Sequence, residues 1–431
     1  MFAPFFARHR LAALLLFATL LSALWATATP PPVLGVAASS AWGNFHPDET
    51  SHIAVVRFMA AHPGTLPPYH YPYDTSVHPP LYHGAAALLA RLAEPIFGAT
   101  GAARVIRLFS AALGAGTVYL VYRAARETRL ARSSAFVAAA LVALVPMRVS
   151  LSGAVTNENL AAFGAAGALA ALYAAIRRGF TPRRWAVLSG WCVVALGSKI
   201  TCAGLIPAVI LGAALSARGR GEPFGRVLAG TAALLTACLA FWGWWFAYNT
   251  VHYGDPLRKA AADVLWNPVQ PGYAVIHLQK HFAPWHYLVS ILSNGWISFW
   301  GIFDGFKHRF PTPFYLVFAV GQSVAAWGLT ARLRRLLPRS SAERTIWATT
   351  GVFTAFVTAV YCQYNWAHYT PQGRYFFVLL APFGALMAGG FDAALRRIPA
   401  SRRARAAVYA VVGTLLLAAN LYALVVMPRR L

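Results

Sequence analysis

The chain has 431 residues, of which 58% are hydrophobic and only 11% charged, with a mean hydropathy of +0.53; these are the values of a membrane protein and exclude an ordinary soluble globule. The net charge of +25 comes from 37 lysines and arginines against 12 acids. In a soluble protein that would suggest nucleic acid; here most of the excess falls in short loops between apolar runs, where it orients the chain and meets anionic lipid.

Apolar runs long enough to span, or nearly so, begin near Leu11, Val105, Ser134, Leu160, Trp185, Ile200, Val227, Pro313, Ile346, Phe376 and Ala407, predicting eleven transmembrane helices. Arginine clusters follow several of them: Arg123 to Arg132, Arg177 to Arg184, Arg218 to Arg226, Arg332 to Arg344 and Arg396 to Arg405. The positive-inside rule puts all five in the cytoplasm with the N-terminus. Two further apolar stretches, Leu81 to Phe97 and His286 to Phe303, would break that parity if they crossed, so they are expected to lie outside. Long extracytoplasmic segments then run over about 29–103 and 248–312, within one transmembrane domain covering 1–431. No internal repeat, heptad or separate soluble domain is visible. Cys192, Cys202, Cys238 and Cys362 fall in or beside apolar runs without metal spacing, and read as free packed thiols. The apolar N-terminus with "ATA" at Ala26 to Ala28 reads as a retained anchor rather than a cleaved signal.

The few acids show the opposite bias to the arginines. Asp48, Glu49, Asp74, Glu94, Glu158, Asp255, Asp263 and Asp304 all map outside, as does every histidine except His9. The outer face is the chemically equipped one.

Several motifs on that face occur in a telling order: "HPDETSH" after the first helix, "HPPLYH", the arginine-led "RVIRLFSAALGAGTVYLVYRAAR", "VPMRVSLSGAVTNENLA", "LGSKITCAGLIP", "NTVHYGDPL", "SFWGIFDGF" and "QGRYFFVLLAP". Together they resemble the GT-C superfamily of membrane glycosyltransferases, and within it a largely uncharacterised bacterial multi-spanning family. The resemblance implies an all-α bundle with amphipathic helices of the first outer loop across its top. It also implies a polyprenyl-phosphate sugar donor and an extracytoplasmic glycan, lipid or protein acceptor, as in cell-envelope glycan assembly at a bacterial inner membrane.

Such a transfer needs a base for the acceptor proton and cations for the leaving phosphate. The resemblance aligns Asp48 with the superfamily's first-loop aspartate, acting as base or metal ligand. Glu49 would orient it or raise its pKa by like-charge repulsion. Against this stands a plain alternative, since Pro47 followed by two acids is also how a helix opens. Glu158 is the second catalytic candidate, with capping of the next helix as its alternative. For the donor phosphate, the resemblance points to Lys199, Arg374 and His78, the last where relatives carry lysine and where imidazole is mostly neutral. Snorkelling toward the interface would equally explain Lys199 and Arg374. Arg104, Arg107 and Arg148 are reserves. Tyr82, Tyr253, Asp255, Gln372 and Tyr375 are candidates for substrate contact, with Asp255 and Asp304 equally readable as local caps. Asp48, His52 and Glu158 could hold a divalent metal, magnesium or manganese, Asp48 and His52 sharing a helix face. A polymerase or ligase acting on undecaprenyl-diphosphate-linked glycan is the alternative enzyme. A lipid-linked sugar transporter or flippase comes third, because ionisable residues at mid-membrane and a half-to-half repeat are missing.

Overall fold

The computed structural model describes residues 2–29, 46–281, 283–303, 308–333, 340–398 and 401–426; Asp304 lies outside them. The chain is a helical bundle. Its helices are α1 (Phe2–Ala28), α2 (Glu49–Ala61), α3 (Leu81–Glu127), α4 (Arg132–Ala143), α5 (Pro146–Ser152), α6 (Glu158–Arg178), α7 (Pro182–Leu196), α8 (Leu205–Arg220) and α9 (Phe224–Tyr253). Then come α10 (Lys259–Trp266), α11 (Tyr273–Lys280), α12 (Pro284–Gly301), α13 (Thr312–Leu333), α14 (Ser341–Ala367), α15 (Leu380–Leu395) and α16 (Arg402–Val425). Short 3-10 turns at Asp74–Val77, Ile200–Gly204 and Gly373–Leu379 interrupt the pattern. The described strands, β1 (Ile302–Phe303) and β2 (His308–Arg309), form one antiparallel pair.

Among the described residues, nine helices are long and apolar enough to cross a membrane, or ten if α4 and α5, bent by 67° at a short break, make one span. Eleven were expected, and two elements account for the difference. Pro146 opens α5 and splits the third span, because a proline inside a helix removes a hydrogen bond and clashes with the preceding turn. The fifth, α7, has only 15 residues, about 22 Å of helix against a hydrocarbon core of about 30 Å. It still packs between α6 and α9.

The stretch Leu81 to Phe97 is helical, and Gly98 separates it from the rest of α3 with φ 67° and ψ 176°, a conformation open to glycine. This first arm is two-faced. Tyr82, Ala86, Ala90 and Ala93 are buried, Tyr82, Ala86 and Ala90 in a cluster with Ile53 and Val56 of α2, while Leu88, Leu92, Ile96 and Phe97 are exposed. It therefore forms an amphipathic helix leading into the span. The stretch from His286 forms α12 and is not among the nine spans.

The main core gathers Trp25, Leu169, Leu172 and Tyr173 with the small faces of α4, α6, α8 and α15. Chain direction then places the site. Helix α6 starts at Glu158 and ends at Arg177 and Arg178, where Arg178 donates to Glu127 at the end of α3 over 2.6 Å. The starts of α2 and α6 and the turn after α7 consequently share one end of the bundle, and the arginines at the ends of α3, α6 and α8 occupy the other.

Candidate functional site

Asp48 is the N-cap of α2, in the left-handed region at φ 58°, which aspartate tolerates better than most residues. Its side chain makes no cap hydrogen bond. Instead the carboxylate, 45% exposed, is held by the Arg374 guanidinium, whose Nη1 also donates to the Pro47 carbonyl at 3.2 Å. Asp48 and Glu49 therefore do open the helix, and the Asp48 carboxylate meets Arg374 besides. Arg374 is buried, and its Nε has no partner. Its position depends on Gly373: a Cβ there would lie 2.2 Å from the Gly295 carbonyl oxygen and 2.3 Å from the Phe299 nitrogen, so only glycine lets this turn press against α12. The Gly373 amide donates to Ser298 Oγ at 2.7 Å, locking the turn.

Beside this pair is a second. Lys199, on the turn after α7, donates from Nζ to Glu158 Oε1, the first residue of α6. Asn157 Nδ2 reaches the Ser198 carbonyl at 2.8 Å and ties the two turns together. The Tyr375 ring stands between the pairs, with Lys199 Nζ 4.5 Å from its centroid and the Arg374 guanidinium 5.8 Å away, both in cation–π range. Burial lowers the Lys199 pKa, Glu158 pulls it back up and Arg374 pushes it down again, leaving it below the ordinary lysine value. Glu158 Oε2 and Gln372 Oε1, both at this site, have no hydrogen-bond partner. Buried polar atoms are normally satisfied by protein or water, so these atoms are open to a further polar partner.

Glu49 turns away from Asp48. Arg107 donates to it from Nε at 2.7 Å and from Nη2 at 2.6 Å, and the Val155 amide adds 2.8 Å. Arg107 also reaches the Thr29 carbonyl at 2.5 Å. Burial alone would raise the Glu49 pKa, but the charge and hydrogen bonds of Arg107, with smaller help from His46 and the Val155 amide, hold it below the usual value. Glu49 is thus a clasp joining α2, α3 and the end of α1, and the expected orientation of Asp48 by its carboxylate is corrected.

The expected metal set does not converge either. His52 Nδ1 lies 2.8 Å from His83 Nε2 and its Nε2 3.3 Å from Thr156 Oγ1, while Asp48 and Glu158 are each engaged by a cation of the protein. No group of three His, Cys, Asp or Glu side chains among the described residues is arranged to hold an ion. His52 is held neutral by burial and by His83, His78, Arg374 and Lys199. His78 is depressed too, by burial first and then by Lys199, His83 and Arg374, so its imidazole is neutral among these cations.

Other candidates are structural. Tyr82, fully buried, lies 2.8 Å from Ser110 Oγ and accepts the Thr156 amide at 3.0 Å. Asp255 caps its own turn, accepting from the Leu257 and Lys259 amides at 2.8 and 2.6 Å. Arg148 is buried and donates to the Gly114 and Ala143 carbonyls, whereas Arg104 is exposed. Tyr253 accepts the Tyr69 amide at 3.1 Å and leads to residues that sequence reasoning missed.

Arg258 is fully buried, yet makes no ion pair with any carboxylate among the described residues. It donates to Asn249 Oδ1 at 2.7 Å and Ser76 Oγ at 3.2 Å, lies 4.5 Å from the Tyr253 ring and 5.9 Å from those of Tyr69 and Tyr248, and leaves Nη2 unpartnered. A buried guanidinium is costly without an anion, so this one is equipped to meet one. Asp74 is buried with Oδ1 unpartnered; desolvation, despite a hydrogen bond from Ser51, and the nearby Asp48 charge push its pKa up to about 6. No motif in the sequence separates Arg258 from the chain's other arginines; only its burial does.

The fold is similar to those of two solved proteins. The oligosaccharyltransferase of Archaeoglobus fulgidus superposes with a TM-score of 0.52 at 14% identity, over 97% of this chain and 56% of that one; its form tethered to an acceptor peptide gives 0.53 at 16%, over 98% and 55%. ArnT from Cupriavidus metallidurans, bound to undecaprenyl phosphate, gives 0.51 at 16%, over 94% and 63%. The chain therefore spans little more than half the length of the oligosaccharyltransferase. Residues 77–247 match the family described as dolichyl-phosphate-mannose-protein mannosyltransferase, a stretch that includes Glu158 and Lys199 but neither Asp48 nor Arg374. Comparison with curated proteins gives no match.

Proposed function

We propose that the protein is a glycosyltransferase that moves a sugar from a polyprenyl-phosphate donor to an extracytoplasmic acceptor, with inversion, in cell-envelope glycan assembly at a bacterial inner membrane. The carrying observation is the convergence of Asp48 with Arg374 and Glu158 with Lys199 around Tyr375, at the membrane-bundle end opposite the arginines that end α3, α6 and α8. The match of residues 77–247, the fold and the order of the outer-face motifs support the reading.

Asp48, half exposed, takes the proton of the acceptor hydroxyl as its oxygen bonds to the anomeric carbon. The carbon–phosphate-oxygen bond breaks at the same time, its electron pair leaving on the phosphate. A phosphate needs no general acid, only cations. Arg374 spends two nitrogens on Asp48 and Pro47 and keeps Nε for it; Lys199 spends one of three ammonium donors on Glu158. Arg258, caged by tyrosines, is a further cation at the site end. The resting ion pairs align the base and keep the buried cations compensated until the donor arrives. Because the expected ligand set does not converge, no step is routed through a metal.

The test is sugar release: protein in liposomes, offered radiolabelled polyprenyl-phosphate monosaccharides with envelope extract as acceptor. Transfer from one donor by wild type and not by Asp48→Asn supports the reading. No transfer from any donor, or transfer only from a diphosphate-linked oligosaccharide, overturns it.

A further inference from the structure

At the arginine-rich end, α3, α6 and α7 enclose a cavity of about 410 Å³, within the roughly 300–1,000 Å³ of pockets that take small ligands. Its floor is Gly167, Ala170, Ala171 and Ala174 of α6, and its apolar walls are Tyr119 and Leu120 of α3 with Val187 and Trp191 of α7. At Gly167 the floor is held low by Trp191, whose ring would lie 2.4 Å from an added Cβ.

Arg123, Arg183 and Arg184 line the same cavity. Arg123 bonds only a neutral group, the Tyr119 hydroxyl at 3.0 Å, and Arg184 donates to the Arg178 and Gly179 carbonyls at 2.7 and 2.9 Å. None of the three makes an ion pair with a carboxylate among the described residues. The cavity's one lining acid, Glu127, is already neutralised by Arg178 at 2.6 Å and Arg177 at 3.9 Å. The lining thus joins three uncompensated guanidinium groups to an apolar trough between membrane-spanning helices. Guanidinium matches phosphate in geometry and charge, and an apolar trough matches an acyl chain.

We propose that this cavity binds one anionic phospholipid, its phosphate at Arg123, Arg183 and Arg184 and one acyl chain along Gly167, Ala170, Ala171 and Ala174. The site is separate from the one around Asp48, at the other end of α3 and α6, and stands whether or not sugar transfer is the activity. The bound lipid fills the gap between α3 and α7 and matches charge that no described carboxylate pairs.

Native mass spectrometry on the full chain, released from nanodiscs of equal phosphatidylglycerol and phosphatidylcholine, reads the site. One phosphatidylglycerol is expected to stay bound in preference to phosphatidylcholine by about tenfold or more, as expected for several basic groups near one anion. The Arg123→Gln, Arg183→Gln, Arg184→Gln triple variant should lose the preference. Ala174→Phe, which fills the trough and leaves the charges, should lose the retained lipid. Equal retention of the two lipids by wild type, or unchanged retention by both variants, overturns the proposal. The wild-type comparison decides the matter even if a variant fails to fold.

Discussion

Asp48 and Glu49 are adjacent carboxylates, each held by an arginine, and they differ in everything else. Glu49 is closed: Arg107 donates twice and Val155 once, and nothing reaches it from solvent. Asp48 is open: its side chain is 45% exposed, and its arginine keeps an unpartnered Nε. An ion pair whose atoms are all satisfied in the interior fastens helices together. A pair that leaves polar atoms over, at an accessible edge, is ready for a ligand.

Breaking the closed pair should cost most. Arg107→Met leaves the Glu49 charge buried without its partner and should lower stability by about 3–5 kcal/mol, seen as a fall in melting temperature in detergent. A similar loss at Arg374→Met would erase the distinction between the pairs.

Acid should attack the closed region next. Burial depresses His46 from 6.5 to about 4, with a small opposing effect of Glu49, and His52 and His78 are depressed as well. A group with lowered folded-state pKa stabilises the fold above its unfolded pKa and loses that contribution as pH falls through the folded value. Stability should therefore decline from about pH 6.5 toward pH 4, by about 3 kcal/mol from His46 alone. A flat melting temperature across that window would contradict the burial of these imidazoles.

At the open pair, Arg374→Ala should raise the donor KM about 10- to 100-fold, the value of one charge-assisted hydrogen bond, with the fold intact. An unchanged KM would reduce Arg374 to a support for Asp48.

The smallest effect should be at Asp74. Its pKa is raised, so its protonated form favours the fold below about 3.8 and that contribution is lost as pH rises through about 6. Asp74→Asn stays neutral and should be more stable than wild type by about 1–2 kcal/mol at pH 7.5, the gain vanishing near pH 4.

Much of this was legible in the sequence. Arginine parity read Leu81 to Phe97 as a surface helix, and it forms an amphipathic arm ending at Gly98. Residues over 300 positions apart, Asp48 and Arg374, were singled out separately, and the fold brings them together. Three matters were not legible. Periodicity cannot show that α7 has only 15 helical residues or that Pro146 bends a span, because both depend on where neighbouring helices end. The separation of Asp48 from Glu49 depends on Asp48's left-handed backbone, which sends consecutive side chains to different partners. The partners that packing gives Asp48, His52 and Glu158 are likewise invisible in a count of acids and imidazoles. Arg258 and Asp74 were missed because burial, not residue type, makes them unusual.

The most direct test sets the two carboxylates side by side: melting temperature and single-turnover sugar transfer for Asp48→Asn and Glu49→Gln in the same liposomes. Asp48→Asn, which keeps an oxygen for the Arg374 guanidinium but removes its counter-charge, is expected to melt closer to wild type than Glu49→Gln and to transfer about 10² to 10⁴ times more slowly, as for a lost general base, while Glu49→Gln melts early. Full transfer by Asp48→Asn, or a loss of rate at Glu49→Gln with wild-type melting, would contradict the assignment of chemistry to one carboxylate and structure to the other.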